Sequence, residues 1–335
     1  MKQKQTADLQ VKLDDYYNKL KTGEAKKEIS AFAPASVTNV SCGFDILGFA
    51  IDYPGDEVVL RITDEPGLKI AKITGDEGRL PMAPEKNTAG MSLLSLMNHL
   101  NFPFGVEMEL HKKMALGSGL GSSAASAVVS VFAFNEMLGS PLSRRELLPF
   151  ALEGEKLSSG GKPHADNVAA CLFGGFIIVR SIAPLDVINI ETPENLFCTI
   201  IHPHIEINTA DTRKILKKQI LLSDAVQQWG NVAGLVAGLA KKDYQLIGRS
   251  LQDVIIEPIR SILIPGFNEV KAAAIKAGAL GCSISGSGPS IFALSTDINT
   301  AEEAGKAMKK ILNKIDIGSD LYISKINPQG PKVLE

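Results

Sequence analysis

The residues most able to do chemistry are Gly117-Ser118-Gly119-Leu120-Gly121-Ser122-Ser123-Ala124-Ala125. Glycine at every second position lets the backbone take left-handed turns that aim successive N–H groups inward, forming a nest for an anion. The small-residue run that follows predicts a helix from Ser122 to about Leu138, whose first amides and dipole face the same point. Ser122 and Ser123 add hydroxyls able to cap that helix or to ligate Mg²⁺. A tight packing turn would account for one G-x-G; the extra glycine, the two serines and the alanine-rich helix favour a phosphate cradle. The stretch lacks the G-x-x-x-x-G-K-[ST] of a P-loop. It is not the dinucleotide G-x-G-x-x-G either, because Ser122 stands where the third glycine belongs.

Two more segments flank this one. They are Pro34-Ala35-Ser36-Val37-Thr38-Asn39-Val40-Ser41-Cys42-Gly43-Phe44-Asp45 and Ser285-Gly286-Ser287-Gly288-Pro289-Ser290. Together, and in this order, the three resemble the N-terminal, central ATP-binding and C-terminal motifs of the GHMP kinases, over nearly the whole chain beyond its first residues. Within that family four details resemble the homoserine kinases. They are the N-x-x-x-G-F-D-x-L-G form of the first motif, Ser159-Gly160-Gly161-Lys162-Pro163-His164-Ala165-Asp166-Asn167-Val168-Ala169, Ile207-Asn208-Thr209-x-x-x-Arg213, and Ile256-Glu257-Pro258-Ile259-Arg260. The resemblance implies an α+β fold of two domains, the first with a left-handed β-α-β crossover and the second ferredoxin-like, with ATP and L-homoserine in the cleft between.

It also implies roles, each of which has a chemical rationale. Arg213 and Arg260 suit the carboxylate of homoserine, since a guanidinium can grip it with two parallel hydrogen bonds. Asp45 and Asp166 can take the ammonium and the hydroxyl, helped by Asn39, His164 and Thr209, while Gly288 and its turn shape the pocket. Asn87 is expected near the adenine. Gly117, Ser118, Gly119, Leu120, Gly121, Ser122 and Ser123 are expected around the phosphates, with Ser123 and Glu155 on Mg²⁺ as hard oxygen donors. Each residue alone has a plainer reading: Thr209 as a helix cap, Glu155 as part of an exposed charged helix end, the 285–290 turn as an ordinary β-turn. The interval from Glu155 to His164 is one residue longer than the family pattern, with the extra residue at Pro163. Asn167 stands where sugar and mevalonate kinases of the family carry an aspartate, and an amide cannot serve as a base. Catalysis is therefore expected to rest on Asn39, Asp45 and Asn167 aligning the hydroxyl, with no strong general base. Lys112 or Lys113 is a candidate to reach the phosphates.

The elements that must position these groups follow from the hydrophobic pattern. Strands are predicted within Glu57–Ile73, broken at Pro66-Gly67, and at Val106–His111, Phe173–Val179, Leu196–Ile201 and Ser290–Leu294. Helices are predicted over 87–100, from about 143 to 153, over 211–222, 226–240 and 268–277. Strands and helices mix without regular alternation, which favours α+β. Three parts are expected: a helical extension over 1–28 with an apolar stripe at Leu9, Leu13, Tyr16, Tyr17 and Leu20, an ATP-binding domain over 29–190, and a second domain over 191–335. The net charge of −2 offers no field for nucleic acid or an anionic membrane. Four scattered cysteines and the lack of an apolar leader point to the cytoplasm. The family resemblance implies a homodimer. Other readings are a shikimate- or mevalonate-type kinase of the same family, or a nucleotide sensor without catalysis.

Overall fold

The computed structural model describes residues 2–335 except 159, 162, 163 and 208; the side chains of 2–8 and 209–211 are likewise outside the description. In chain order the first half contains α1 (Lys2–Thr22), β1 (Glu28–Thr38), β2 (Leu47–Thr63), β3 (Gly67–Thr74), α2 (Thr88–His99), β4 (Gly105–His111), α3 (Ser122–Met137), α4 (Arg144–Ser158), α5 (Ala165–Phe173), β5 (Phe176–Ile182) and β6 (Leu185–Ile190). The second half contains β7 (Phe197–Pro203), α6 (Thr209–Lys214), α7 (Leu222–Lys241), α8 (Tyr244–Ser250), α9 (Glu257–Arg260), α10 (Phe267–Lys276), β8 (Gly281–Ile284), β9 (Ile291–Ser295), α11 (Ile298–Lys314), β10 (Ser319–Lys325) and β11 (Lys332–Leu334).

A seven-stranded sheet runs β11-β1-β2-β4-β3, with β5 on the far end of β2 and β6 beside β5. β3 and β4 are parallel and joined through α2, so they form the β-α-β crossover unit of the implied fold. The other pairs in this sheet are antiparallel. β1 lies between β2 and β11 and under α3 and α5, which is why its second half is continuously buried instead of alternating. Helix α3 is buried on nearly every side. Its run of alanine, serine and valine lets it press against both β1 and β2.

The second sheet has the order β10-β7-β9-β8, all antiparallel, with helices between β7 and β8 and between β9 and β10. This β-α-β-β-α-β arrangement is ferredoxin-like. The last strand, β11, returns to the first sheet and pairs with β1. The apolar stripe of α1 is buried at Leu13, Tyr16 and Leu20, and Tyr17 stacks edge-on against Phe104. Among the described residues no helix is long and apolar enough to cross a membrane.

Two helices differ from the sequence reading. α4 continues past residue 153 to Ser158, so Glu155 lies inside a helix and is buried, not part of an exposed charged end. The helix predicted over 211–222 stops at Lys214, and a separate helix starts at Leu222. The carbonyl of Thr212, which residue 216 would use in a continuing helix, accepts from Arg260 Nε at 3.4 Å, while Leu216 N turns to Arg213 O at 3.3 Å. The end of the helix is thus tied to a tertiary contact.

Candidate active site

The glycine-rich loop takes the conformation its spacing requires: φ is +71° at Gly117, +78° at Gly119 and +69° at Gly121. A Cβ at Gly119 would lie 2.5 Å from the Ser285 carbonyl oxygen, and one at Gly121 only 2.2 Å from Ser36 Oγ. Other motifs therefore press on the loop where it lacks side chains. Ser36 N donates to Leu120 O at 3.0 Å, Ser285 Oγ to Gly119 O at 2.8 Å and Ser290 N to Ser118 O at 3.2 Å. Gly286 N also donates to Thr38 O at 3.0 Å, so the three sequence motifs are laced into one unit.

This loop lines a cleft of about 290 Å³, and Ser123 and Glu155 line it as well. The hydroxyls of Thr38, Ser118 and Ser122 are buried at its wall without a hydrogen-bond partner among the described residues. Buried hydroxyls are nearly always paired in folded proteins, so these three fit a polar ligand with many acceptor oxygens. A serine hydroxyl and a carboxylate also fit a small hard cation shared with such a ligand.

Beneath the loop lies a buried ion pair. Lys112 Nζ contacts the Asp56 carboxylate and donates to Ser122 O at 2.8 Å and Ser126 Oγ at 2.7 Å. Lys112 borders the cleft, but its ammonium is bonded inside this network; Lys113 pairs instead with Glu57 at 3.5 Å.

Beside the loop stands a charged group. Arg213 grips Asp45 with two bonds, of 2.7 and 3.1 Å. Arg260 is buried, donates to Gly286 O at 3.2 Å and lies 4.9 Å from the centre of the Phe44 ring, which Arg213 also faces at 5.6 Å. Burial, then the neighbouring Arg213, pulls the Arg260 guanidinium down to about 10. Burial and the nearby Asp45 push Asp166 up to about 6. Burial opposes charge on His164, but the hydrogen bond to Glu155 Oε1 (3.1 Å) and the charges of Glu155 and Asp166 prevail. Its pKa therefore lies above the usual histidine value.

The segment bearing Asn39 and Asp45 is strained, with positive φ at Asn39 (65°), Val40 (21°), Ser41 (58°) and Asp45 (60°). Asn39 holds it on both sides: its Nδ2 donates to Gly286 O and its Oδ1 accepts from Asp45 N at 2.9 Å.

Of the residues singled out from sequence, Asn39, Asp45, His164, Asp166, Asn167, Arg213 and Arg260 all border the cleft. Asn167 Oδ1 accepts from Ser36 Oγ at 3.0 Å. Asn87 borders it too, as the cap of α2: its Oδ1 accepts from Ala89 N and Gly90 N and its Nδ2 donates to Pro81 O. The Leu120 side chain is buried in the core, so that residue offers the loop its backbone. Gly288 lies behind the loop, its carbonyl facing Gly119. The Thr209 side chain, Asn208 and Pro163 lie outside the described residues; the longer interval from Glu155 to His164 still leaves those two side chains in contact.

Asp56, Ser126, Leu80 and Ser36 escaped the sequence reading as site residues. Asp56 carried a signal. It follows the parity of the buried Val58 and Leu60, while Lys112 follows that of Val106, Met108 and Leu110, so each strand ends its apolar face on a charge.

Residues 87–175 match the family description GHMP kinases N terminal domain, and residues 235–314 match GHMP kinases C terminal. A homoserine kinase of Chloroherpeton thalassium is 50% identical over 319 residues, which cover 92% of this chain and 100% of that protein. The crystal structure of homoserine kinase from Cytophaga hutchinsonii superposes with a TM-score of 0.91 at 61% identity, over 92% of this chain and 98% of that one. L. major mevalonate kinase, solved with R-mevalonate, shares the fold at a TM-score of 0.67 and 18% identity, over 91% of this chain and 97% of that one. The motif order, the laced cleft and these similarities agree: the chain belongs to the GHMP kinase family, on its homoserine kinase branch.

Proposed function

We propose that the chain transfers the terminal phosphoryl group of ATP to the hydroxyl of L-homoserine, giving O-phospho-L-homoserine on the route to threonine. The observation that carries this reading is one cleft in which a glycine nest with unpartnered serine hydroxyls adjoins two guanidinium groups, two aspartates and a histidine. The names of the relatives support the acceptor.

In this reading the loop amides, Ser118 and Ser122 hold the phosphates, and Asn87 stands at the nucleoside end. Magnesium, when bound, would neutralise phosphate charge, and Ser123 and Glu155 are the residues that would hold it. Arg260 and Arg213 take the acceptor carboxylate, Thr209 helps to bind the acceptor as the family resemblance implies, and Gly288 supports the pocket wall. The Arg213–Asp45 pair is about two-fifths exposed on each side. Such a pair is worth only about 0–1 kcal/mol, so Arg213 can exchange Asp45 for a carboxylate at little cost. Asp166, with His164, then faces the ammonium. Asn39, Asp45 and Asn167 align the hydroxyl in line with the phosphorus. Asn167 is an amide and cannot serve as a base, and the reaction in this reading uses no strong general base. The new O–P bond forms as the bond to the ADP oxygen breaks, and the hydroxyl proton passes to an oxygen of the transferred group.

The proposal extends to the assembly. Between Asp224 and Lys241, α7 carries no charged residue, yet Leu222, Val226 and Trp229 are exposed on it. That face supports a homodimer, and Trp229→Glu is expected to give monomer in sedimentation. Four free buried thiols support a reducing, cytoplasmic setting. The three-part division at 28 and 190 is supported by the two sheets, with β11 crossing back.

A coupled ADP-release assay with Mg·ATP and L-homoserine, shikimate, mevalonate, galactose or no acceptor tests the reading. Turnover confined to L-homoserine is expected. Turnover on another acceptor would overturn the arginine assignment, and binding of Mg·ATP with no turnover at all would favour a sensor.

A further inference from the structure

Arg260 sits at the end of α9, a helix of four residues, which cannot hold its own place. The chain leading into it is held by one buried carboxylate. Asp253 Oδ1 accepts from Ile255 N and Ile256 N, both at 2.9 Å, and Oδ2 accepts from Glu257 N at 2.9 Å. A fourth donor reaches Asp253 from another element: Gln228 Nε2, on α7, at 2.9 Å. The Gln228 amide is buried and bonded in every direction that matters. Its Nε2 also donates to Cys42 O at 2.9 Å, and its Oε1 accepts from Val254 N at 3.0 Å. Cys42 adds a parallel tie, its Sγ donating to Ser250 O at 3.4 Å.

Cys42 belongs to the strained segment that carries Asn39, Phe44 and Asp45, and Val254 belongs to the turn that launches Arg260. Gln228 therefore bridges the two segments that face each other across the charged part of the cleft. We infer that Gln228, acting with Asp253, is a positioning residue that fixes the Arg260 guanidinium relative to Phe44 and Asp45, and so sets the fit for the acceptor carboxylate. The inference rests on the reading that Arg260 binds that carboxylate. Glutamine is the side chain that fits, because it donates to a carbonyl and a carboxylate while accepting from an amide. A glutamate of the same shape would lose both donors and put a second negative charge against Asp253.

The test compares Gln228→Ala, Gln228→Glu and Asp253→Asn with the parent and with Arg260→Ala. The acceptors are L-homoserine and its uncharged carboxamide. The Gln228 and Asp253 variants are expected to raise KM for L-homoserine at least tenfold. KM for ATP should stay within twofold, and kcat/KM for the carboxamide should barely change. General loosening of the fold would lower both acceptors and ATP together, and that uniform loss would overturn the inference. So would a folded Gln228→Ala or Gln228→Glu enzyme with the parent preference for acid over amide. If Arg260→Ala also leaves that preference untouched, the carboxylate reading has failed. If Arg260→Ala removes the preference and the Gln228 variants keep it, only the bridging role has failed.

Discussion

The Asp56–Lys112 pair offers the sharpest test of how the phosphate loop is supported. Both side chains are essentially inaccessible, 0% and 1% exposed. Ser126 Oγ donates to Asp56 Oδ2 at 3.0 Å, Lys113 N donates to Oδ1 at 3.1 Å, and Lys112 also holds the Ser122 carbonyl. Asp56→Ala would leave the ammonium with two neutral acceptors and no counter-charge. Breaking a buried pair from one side costs about 3–5 kcal/mol. Lys112→Met strands the carboxylate and should cost about the same. Replacing both, as Asp56→Leu with Lys112→Met, removes both charges at similar volume. It leaves only the Ser126 hydroxyl, the Lys113 amide and one carbonyl to resolve, at roughly 1–3 kcal/mol. Urea unfolding of the four proteins measures this directly. In melting curves each single variant should fall by roughly 6–20 °C, at about 2–4 °C per kcal/mol for domains of this size. The double variant should be more stable than either single one. KM for ATP should nevertheless rise in the two variants that lack Lys112, since the Ser122 carbonyl at the start of α3 has lost its anchor there. Single variants within about 1 kcal/mol of the parent, or a double variant costing the sum of the two, would refute the reasoning.

Three other outcomes follow from the site. Arg213→Ala and Arg260→Ala should each raise KM for L-homoserine roughly 10- to 100-fold, the worth of a charged hydrogen bond, and leave ATP affinity within twofold by titration calorimetry. Asp166 is pushed from 3.8 to about 6 by burial first and Asp45 second. Its ionisation therefore costs the native state about 3 kcal/mol at neutral pH, and stability should rise as pH falls from above 6 towards 4. The ammonium-binding form is the ionised one, so kcat/KM for L-homoserine should fall below about pH 6, and Asp166→Asn should remove that limb. Gly121→Ala combines a φ of +69° with a Cβ 2.2 Å from Ser36 Oγ, whereas Gly117→Ala has φ +71° and nothing within 4 Å. The second should cost only the left-handed backbone penalty of roughly 1–2 kcal/mol, and the first clearly more, with a larger rise in KM for ATP.

What could be read from the chain, and what could not, divides on physical lines. The loop at 117–123 was legible because its residue types answer to local backbone demands: left-handed φ at alternate positions and a helix start immediately after. The strands around 57–63 and 106–111 were legible because one face of each is buried. Asp56 and Lys112 were legible in part, as charges at positions whose parity is apolar, but their pairing needed the register that sets Val58 opposite Leu110. The helix over 211–222 was misread because Ile215, Leu216 and Ile220 have helical spacing, and only Arg260, nearly fifty residues downstream, shows why the Thr212 carbonyl is taken. Gln228 and Asp253 could not have been found: an amide and a carboxylate at such a separation have no period and no motif.

That contrast bears on how the site works. Phosphoryl transfer gains chiefly from holding reactants in line and from charge placed in advance, and small misplacements carry large penalties in rate. The groups that touch the cleft stand on weak supports: a segment with four positive-φ non-glycine residues, a four-residue helix, and a glycine loop whose one large side chain, Leu120, packs into the core. None of these holds its shape alone. Each is fixed by buried bonds to something distant in sequence: Asn39 to Gly286, Ser36 to Leu120, Gln228 to Cys42, Lys112 to Asp56. Strain of roughly 1–3 kcal/mol per residue persists only where the surroundings over-determine the conformation, and here the surroundings come from both sheets. The acceptor pocket and the phosphate nest therefore share a wall at Gly286, whose carbonyl accepts from Asn39 and Arg260 and which has no room for a Cβ on its Gly119 side. A side chain at position 286 would meet the Gly119 carbonyl at 2.9 Å and disturb both halves of the cleft at once.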